Sequence, residues 1–231
     1  MKRQLLGELV AAIMAKRGVV LATRLATAEQ TLLFPFEPDA APPDPDWPAA
    51  AARQAILDDR SATVVTPAGE TFLRPYSPPI RLIIVGAVHI AVPLARMAAI
   101  SGLDVRLVDP RPVFASEERF PGVQVIRDWP AEAMAALRPD HRTAVVTLTH
   151  DARLDDAALL GAFGSEAFYI GALGSHRTHQ KRIARLRDLG VADRDLARIR
   201  APVGLDIGAR TPEEIAVAVL AELVAQRRGK A

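Results

Sequence analysis

From residue 80 onward, short apolar runs alternate with longer amphipathic segments, and this alternation constrains the fold more than any other feature of the sequence. The apolar runs have the length of strands and cover residues 81–86, 104–109, 144–148 and 167–171. A helical pattern follows each run. Apolar strands joined through helices form a parallel sheet that is covered on both faces. The sequence therefore predicts an α/β fold, with a Rossmann-like doubly wound parallel sheet over residues 80–231.

The first 79 residues differ from the rest of the chain in their pattern of helix and strand signals. Helical patterns at residues 3–16 and 49–57 alternate with strand patterns at 19–23, 62–66 and 71–73. A proline-rich stretch between Phe34 and Pro48 cannot be a helix or a central strand, because proline lacks the N–H group that both require. Prolines at 75, 78 and 79 mark a boundary. We expect residues 1–79 to form a small α/β or α+β domain, and residues 80–231 a second one.

Composition excludes several classes of function. The 231 residues contain no cysteine, which rules out disulfides, thiolate catalysis and cysteine-ligated zinc in this chain. The net charge of +2 argues against a nucleic-acid partner. No apolar run approaches the length of a membrane-spanning helix, and Glu8 and Lys16 interrupt the first apolar stretch as no secretory signal would allow. We expect a cytoplasmic protein with no membrane partner.

The first strand-to-helix crossover resembles a dinucleotide-binding fingerprint with one departure. Gly86 and Ala91 match the first and last positions of G-x-G-x-x-G/A, but Val88 replaces the middle glycine. The isopropyl group of Val88 would fill the space through which a pyrophosphate approaches the backbone. Asp109 ends the second strand, where an acid commonly holds the ribose of a dinucleotide. The segment is therefore either a modified nucleotide site or an ordinary tight turn.

Polar residues also follow the third and fourth predicted strands. Thr149-His150-Asp151 ends the third run, and Gly174-Ser175 opens a basic helix after the fourth. A glycine-containing loop at a helix N-terminus presents free N–H groups to an anion, and Arg177 adds a donor. The simpler alternatives are that Ser175 caps the helix and that Arg177 is solvated. Ligands of open α/β sheets bind at the carboxyl edge of the strands, where all these residues should lie.

Other candidate features favour structural roles. His176 and His179 are spaced to share a metal, but the surrounding positive charge and the lack of a fixed third ligand argue that no metal binds. The segment 201–210 is either a simple connection or a rim loop that directs Asp206 toward the cleft. Thr211 and Glu214 predict a capping box for the last helix. We find no catalytic triad, P-loop or paired carboxylates, and therefore assign no catalytic residue.

Five linked segments are similar to the C-terminal Rossmann domain of the xanthine dehydrogenase accessory protein family (XdhC/CoxI). They occur in the family's order and cover residues 81–91, 108–111, 149–155, 169–175 and 204–216. The resemblance implies a non-catalytic chaperone that binds the molybdenum cofactor, a molybdopterin, and delivers it to a molybdenum hydroxylase such as xanthine dehydrogenase. It further suggests a cysteine desulfurase as a second partner and a homodimer as the assembly.

Together with the expected position of these residues at the carboxyl edge of the strands, the resemblance implies a set of cofactor-binding residues. The set contains Gly86, Val88, His89, Asp109, Arg111, Thr149, His150, Asp151, Gly171, Gly174, Ser175, Arg177 and Asp206. The family's N-terminal G-S-x-P-R-like turn and glycine-rich segment with a cysteine do not occur in residues 1–79. Two alternative functions stay open. One is an NAD(P)-dependent oxidoreductase, although Val88 and the lack of a Tyr-Lys proton donor count against it. The other is an interaction module without a ligand.

Overall fold

The computed structural model describes residues 2–37 and 44–230, and the chain divides into two compact units, Met1–Pro78 and Pro79–Ala231. The part of the predicted proline-rich stretch at positions 38–43 lies outside the described residues. The elements of the first unit are α1 (Arg3–Met14), β1 (Val19–Arg24), β2 (Gln30–Leu33), α2 (Ala49–Asp58), β3 (Ala62–Thr66) and β4 (Gly69–Tyr76).

The first unit is a four-stranded antiparallel sheet with a helix on each face. Its strand order is β2-β1-β4-β3. Side chains alternate along β1, as the period of a strand requires: Val20 and Ala22 pack with α2, whereas Val19 and Leu21 pack with α1. The antiparallel pairing makes this unit α+β. The sequence pattern did not predict β2, because its four residues are too few for a clear alternation.

The second unit contains the predicted parallel sheet. Its elements are β5 (Arg81–Val85), α3 (Ala91–Ile100), β6 (Asp104–Val108), β7 (Gln124–Ile126), α4 (Pro130–Leu137), β8 (Thr143–Thr147), α5 (Ala152–Phe163), β9 (Tyr169–Ala172), α6 (His176–Asp188), α7 (Asp193–Leu196), β10 (Ile199–Arg200) and α8 (Pro212–Arg227). The six strands are parallel and lie in the order β10-β9-β8-β5-β6-β7. This doubly wound arrangement confirms the predicted fold class.

Helices cover both faces of the parallel sheet. Leu82 and Ile84 of β5 are fully buried against α3 and α8, and Ile83 and Val85 are buried against α4, α5 and α6. Each large apolar side chain that is fully buried contributes about 1.5–3 kcal/mol to the free energy of unfolding. A strand buried on both faces therefore explains why the sequence runs apolar without alternation.

The strand order reverses direction at the boundary between β5 and β8. The chain leaves β5 toward β6 on one side and later returns to β8 on the other. The crossover loops diverge at such a point and leave a crevice at the carboxyl edge of the sheet. Within the described ranges, no helix is long and apolar enough to span a membrane.

Candidate functional site

The turn after β5 approaches the loop after β8 very closely. Gly86 has a positive φ of 106°, and a Cβ atom built there would lie 2.4 Å from the Cγ2 atom of Thr149. A side chain at this position would therefore be strained by its backbone conformation and would also collide with the neighbouring loop. Gly86 fixes the separation of the two loops at the point where the strand order reverses.

Asp109 is fully buried directly after β6, and hydrogen bonds from its own chain occupy its carboxylate. The Oδ2 atom accepts from the Ala87 N–H at 2.8 Å and from Arg111 Nη2 at 2.7 Å. The Oδ1 atom accepts from the main-chain N–H and the Nε atom of Arg111, at 3.0 and 2.9 Å. Burial alone would raise the pKa of Asp109, but these hydrogen bonds outweigh it and lower the pKa. The carboxylate thus ties the end of β6 to the turn after β5.

The remaining residues of the first crossover have mixed surroundings. The side chain of Val88 is half-buried and packs against the core cluster that α3 and α8 share. His89 is exposed, and α3 begins at Ala91, two residues later than the helical pattern predicts. Arg119 was not predicted as a site residue, yet its Nη1 atom donates to the Ala87 carbonyl at 2.9 Å. Donors from the β6–β7 connection therefore brace this turn.

A network of buried polar groups connects the loops after β8 and β9. The Thr149 hydroxyl donates to the Oδ1 atom of Asp155 at 2.6 Å, and Arg182 Nη2 lies 3.8 Å from the Oδ2 atom of Asp155. The same Nη2 atom donates to the Leu173 carbonyl at 2.7 Å. Asp155 and Arg182 are 3% and 2% exposed, so the network is shielded from solvent. It joins α5 and α6 just below the carboxyl edge.

The two ionisable groups of this network have shifted pKa values. Burial raises the pKa of Asp155 to about 6, because the Thr149 hydrogen bond and the distant charge of Arg182 compensate it incompletely. Burial also lowers the pKa of Arg182. The Nε and Nη1 atoms of Arg182 are buried and have no hydrogen-bond partner within residues 2–37 and 44–230. Nothing in the sequence predicts this burial of Arg182, because no local signal shows which arginine of a helix is buried.

Asp151 caps the N-terminus of α5. Its side chain accepts a hydrogen bond from the Arg153 N–H at 3.0 Å and pairs with the Arg153 guanidinium. These hydrogen bonds lower the pKa of Asp151 to about 2. Hydrogen bonding to Asp109 raises the pKa of Arg111, and the charges of Asp151 and Asp155 add to this effect. The ends of β6 and β8 are therefore electrostatically coupled across the edge.

Two glycines, Gly171 within β9 and Gly174 just after it, are constrained by packing. A Cβ atom on Gly171 would lie 2.6 Å from Val203, and one on Gly174 would lie 2.9 Å from Thr178. Gly174 also has a positive φ of 133°. Ser175 is the N-cap of α6 and accepts from the Thr178 N–H at 3.2 Å, as one of its two predicted roles requires.

Two glutamates of α8 hold the segment that contains Asp206. The Oε2 atom of Glu222 accepts hydrogen bonds from the Tyr169 hydroxyl and from the Gly204 N–H. Glu214 accepts from the N–H groups of Arg210 and Thr211, and it forms the predicted capping box with Thr211. Asp206 itself is exposed between these two anchors.

The structure brings together part of the predicted set. The residues that share contacts or charge interactions at the carboxyl edge are Gly86, Asp109, Arg111, Thr149 and Asp151. The side chains of His89, His150, Arg177 and Asp206 are exposed. In the part of the chain that the structure describes, no three histidine or carboxylate side chains are grouped as ligands for a metal ion.

Comparison with known proteins identifies relatives of the second unit. A family model described as the XdhC Rossmann domain matches residues 82–223. The molybdenum cofactor insertion chaperone PaoD of Escherichia coli is 35% identical over 152 residues, which are 66% of this chain and 42% of PaoD. A Bacillus subtilis protein named as a probable xanthine dehydrogenase component is 34% identical over 158 residues, 68% of this chain and 46% of that protein. The chain spans less than half the length of the curated relatives that it matches.

A solved structure is similar over nearly the whole chain. The crystal structure of a xanthine dehydrogenase from Bacillus halodurans covers 99% of this chain, and the chain covers 68% of it. The TM-score is 0.67 at 26% sequence identity. The similarity therefore extends beyond the Rossmann domain to the first unit.

Proposed function

The chain belongs to the XdhC Rossmann-domain family, and on that premise we propose that it binds the molybdenum cofactor and inserts it into a molybdenum hydroxylase. The observation that carries this proposal is the 35% identity to a relative named as a molybdenum cofactor insertion chaperone. That match covers two thirds of the chain. The cofactor is the cargo of such a protein, so no catalytic residue is needed.

The chemistry of the carboxyl edge fits this cargo. The molybdenum cofactor contains a pterin that carries a phosphate monoester, and phosphates bind where helix N-termini and basic side chains meet. The N-terminus of α6 and the donors of Arg182 supply both features. We propose that the cofactor-binding residues predicted from the sequence surround the cargo. They are Gly86, Val88 and His89 after β5, Asp109 and Arg111 after β6, Thr149, His150 and Asp151 after β8, Gly171 within β9, Gly174, Ser175 and Arg177 after β9, and Asp206 at the rim.

The contacts of Asp109 argue against the alternative of an NAD(P)-dependent oxidoreductase. An acid that holds a ribose needs carboxylate oxygens that can accept from the ribose hydroxyl groups. The four donors on Asp109 come from Ala87 and Arg111, and the carboxylate is fully buried. Val88 adds its side chain at the position where a dinucleotide site has glycine.

The wider biological setting follows from the same proposal. We propose that residues 80–231 carry the cargo site and that residues 1–79 form a separate domain. A xanthine dehydrogenase-like enzyme is the proposed client, because one relative is named as a probable xanthine dehydrogenase subunit and the similar solved structure as a xanthine dehydrogenase. A cysteine desulfurase partner, a homodimeric assembly and a cytoplasmic location remain parts of the proposal.

A reconstitution experiment tests the proposed function. The full chain is titrated with molybdenum cofactor and with NAD(P)H, and the loaded protein is then mixed with cofactor-free xanthine dehydrogenase. We expect saturable binding of the cofactor, no binding of NAD(P)H, and faster recovery of enzyme activity than with free cofactor alone. Binding of NAD(P)H without the cofactor, or no acceleration of recovery, contradicts the proposal.

Charge reversal distinguishes the carboxyl edge from the rest of the surface. Arg177→Glu places a negative charge in the first turn of α6, where we propose that the cargo binds. The control is Arg194→Glu in α7, whose side chain is 88% exposed. Because Arg177 is also exposed, both variants should fold. We expect the first variant to weaken cofactor binding about tenfold and the second to leave it unchanged. Equal effects would mean that the cargo does not bind at this edge.

A further inference from the structure

The buried guanidinium of Arg182 has donors without an acceptor among residues 2–37 and 44–230. Its Nη2 atom donates to the Leu173 carbonyl at 2.7 Å and faces Asp155 at 3.8 Å. The Nε and Nη1 atoms find no acceptor in the described part of the chain, although the residue is only 2% exposed. Burying a charged donor without a hydrogen-bond acceptor is unfavourable. A buried guanidinium with unpartnered donors therefore indicates a place for an acceptor from outside the chain.

His179 provides a second unpartnered group on the same helix. It lies three residues before Arg182, so the two side chains are neighbours on the surface of α6. Its Nδ1 atom is buried and, among the described residues, has no hydrogen-bond partner. Burial lowers the pKa of His179, and the positive charges of Arg182 and His176 lower it further. This face of α6 therefore carries a positive potential that acidic side chains do not neutralise at His179.

The first turn of α6 extends the same cluster of donors. It contains no acidic residue, and the Ser175 cap satisfies the N–H of Thr178. An α-helix leaves its first N–H groups without intrahelical partners, which here belong to His176 and Arg177. Helical side chains lean toward the N-terminus, and the contact of Arg182 with the Leu173 carbonyl shows that its guanidinium follows this direction. The Arg182 guanidinium therefore reaches back to Leu173, two residues before the Ser175 cap at the N-terminus of α6.

We infer that Arg182 and His179, with the first turn of α6, form a binding site for a phosphate monoester. The chemical class follows from the donor set: a forked guanidinium, an imidazole and helix N–H groups match the several oxygens of a phosphate. The charged groups facing the site from α5 are Asp155, opposite Arg182, and Asp156, which is paired with Arg185 at 2.8 Å. The inference rests on the proposed function for one point, that the natural phosphate belongs to the molybdenum cofactor.

A titration of the unmodified full chain tests the site without any risk of misfolding. Inorganic phosphate is added while the histidine ring signals are followed by NMR over a range of pH. A bound phosphate anion favours the protonated imidazole, so we expect the pKa of His179 to rise on saturation. His141, which precedes β8 at the opposite edge of the sheet, is the internal control. An unchanged pKa of His179 at saturating phosphate overturns the inference and assigns the free donors to bound water.

Variants then test the two side chains separately. One variant is His179→Ala, at a half-exposed position. The other is the double variant Arg182→Met/Asp155→Asn, which removes both buried charges together. We expect each of them to weaken phosphate binding about tenfold. The matched control is Arg187→Met, which loses an exposed ion pair with Asp193 further along α6. Loss of phosphate affinity in the control equal to that in the other two overturns the inference.

The outcome is separable from that of the proposed function. Binding of inorganic phosphate, and of ribose 5-phosphate as a simple phosphate monoester, is measured independently of whether the protein carries the molybdenum cofactor. Binding of both simple phosphates that depends on Arg182, together with no binding of the cofactor, supports the site and contradicts the proposed function. Binding of the cofactor that the Arg182→Met/Asp155→Asn variant retains at full affinity contradicts the site and leaves the proposed function standing.

Discussion

The two sides of the strand-order reversal each contain a buried aspartate, and the two aspartates differ in how well they are paired. Asp109, on the β5–β6 side, accepts four hydrogen bonds from Ala87 and Arg111, and its pKa is lowered. Asp155, on the β8–β9 side, faces an arginine at 3.8 Å, and burial raises its pKa to about 6. The two carboxylates are almost equally buried, yet their pKa values shift in opposite directions.

The difference indicates on which side of the carboxyl edge the polar side chains already have hydrogen-bond partners among the described residues. On the β5–β6 side, Asp109 and Arg119 use their polar atoms to brace the turn after β5. On the β8–β9 side, Arg182 and His179 keep buried nitrogen atoms without partners among the described residues. Buried polar groups are nearly always satisfied in folded proteins, so the side with unused donors is the better candidate for ligand binding.

The largest expected effect on stability comes from adding a side chain at Gly86, where the turn after β5 approaches the loop after β8. Gly86→Ala introduces a Cβ atom 2.4 Å from Thr149 at a residue with φ of 106°. We expect strain and overpacking to lower the free energy of unfolding by about 3–5 kcal/mol, measured by denaturant titration. The control is Gly102→Ala, where φ is 80° but no atom lies within 4 Å, and where we expect about 1 kcal/mol. Equal losses would show that backbone conformation alone requires glycine at position 86.

The raised pKa of Asp155 predicts an unusual dependence of stability on pH. The folded protein binds the proton of Asp155 more tightly than the unfolded chain, whose aspartate has the ordinary value of 3.8. The free energy of unfolding should therefore fall as the pH rises from about 4 to 6, by roughly 2 kcal/mol. In Asp155→Asn this fall should disappear. A variant that keeps the full dependence would assign it to another group.

The lowered pKa of Asp109 predicts the opposite sign in a lower range of pH. The stability that its hydrogen bonds provide is present above about pH 4 and is lost as the pH falls through the folded pKa. We expect Asp109→Asn to cost about 2 kcal/mol at neutral pH and to flatten the acid limb of the stability curve. The control, Asp104→Asn, removes a partner of Arg106 at the same spacing at the other end of β6, in a more exposed position, and should cost under about 1 kcal/mol.

The smallest effect tests whether Val88 alone excludes a dinucleotide. Val88→Gly removes a half-buried side chain from the core cluster, so we expect a loss of about 1 kcal/mol in the free energy of unfolding. We expect no gain of affinity for NAD(P)H, because Asp109 remains bonded to Arg111. Measurable binding of NAD(P)H in a calorimetric titration of the variant would show that the valine was the obstruction.

Much of the second unit could be predicted from local patterns. The apolar runs became β5, β6, β8 and β9, and the capping box at Thr211 and the cap at Ser175 are formed as expected. These features depend on neighbours within about four residues, so a single sequence contains the signal. The strands β7 and β10 were missed, because three and two residues show no period.

The candidate site could be predicted only in outline. Polar residues at strand ends indicated the carboxyl edge, but their pairing depends on contacts across the sheet. Arg119 reaches Ala87 from 32 residues away, and Arg182 reaches Asp155 from a different helix. No periodicity distinguishes Arg182 from the solvated arginines around it, because its burial follows from how α5 and α6 pack.

The two glutamates of α8 have a further consequence for the segment between Gly204 and Thr211. Because Glu222 holds one end and Glu214 holds the other, the exposed residues between them are tethered at both sides to a single rigid helix. Insertions or deletions between residues 205 and 209 would therefore leave the sheet and the last helix in register.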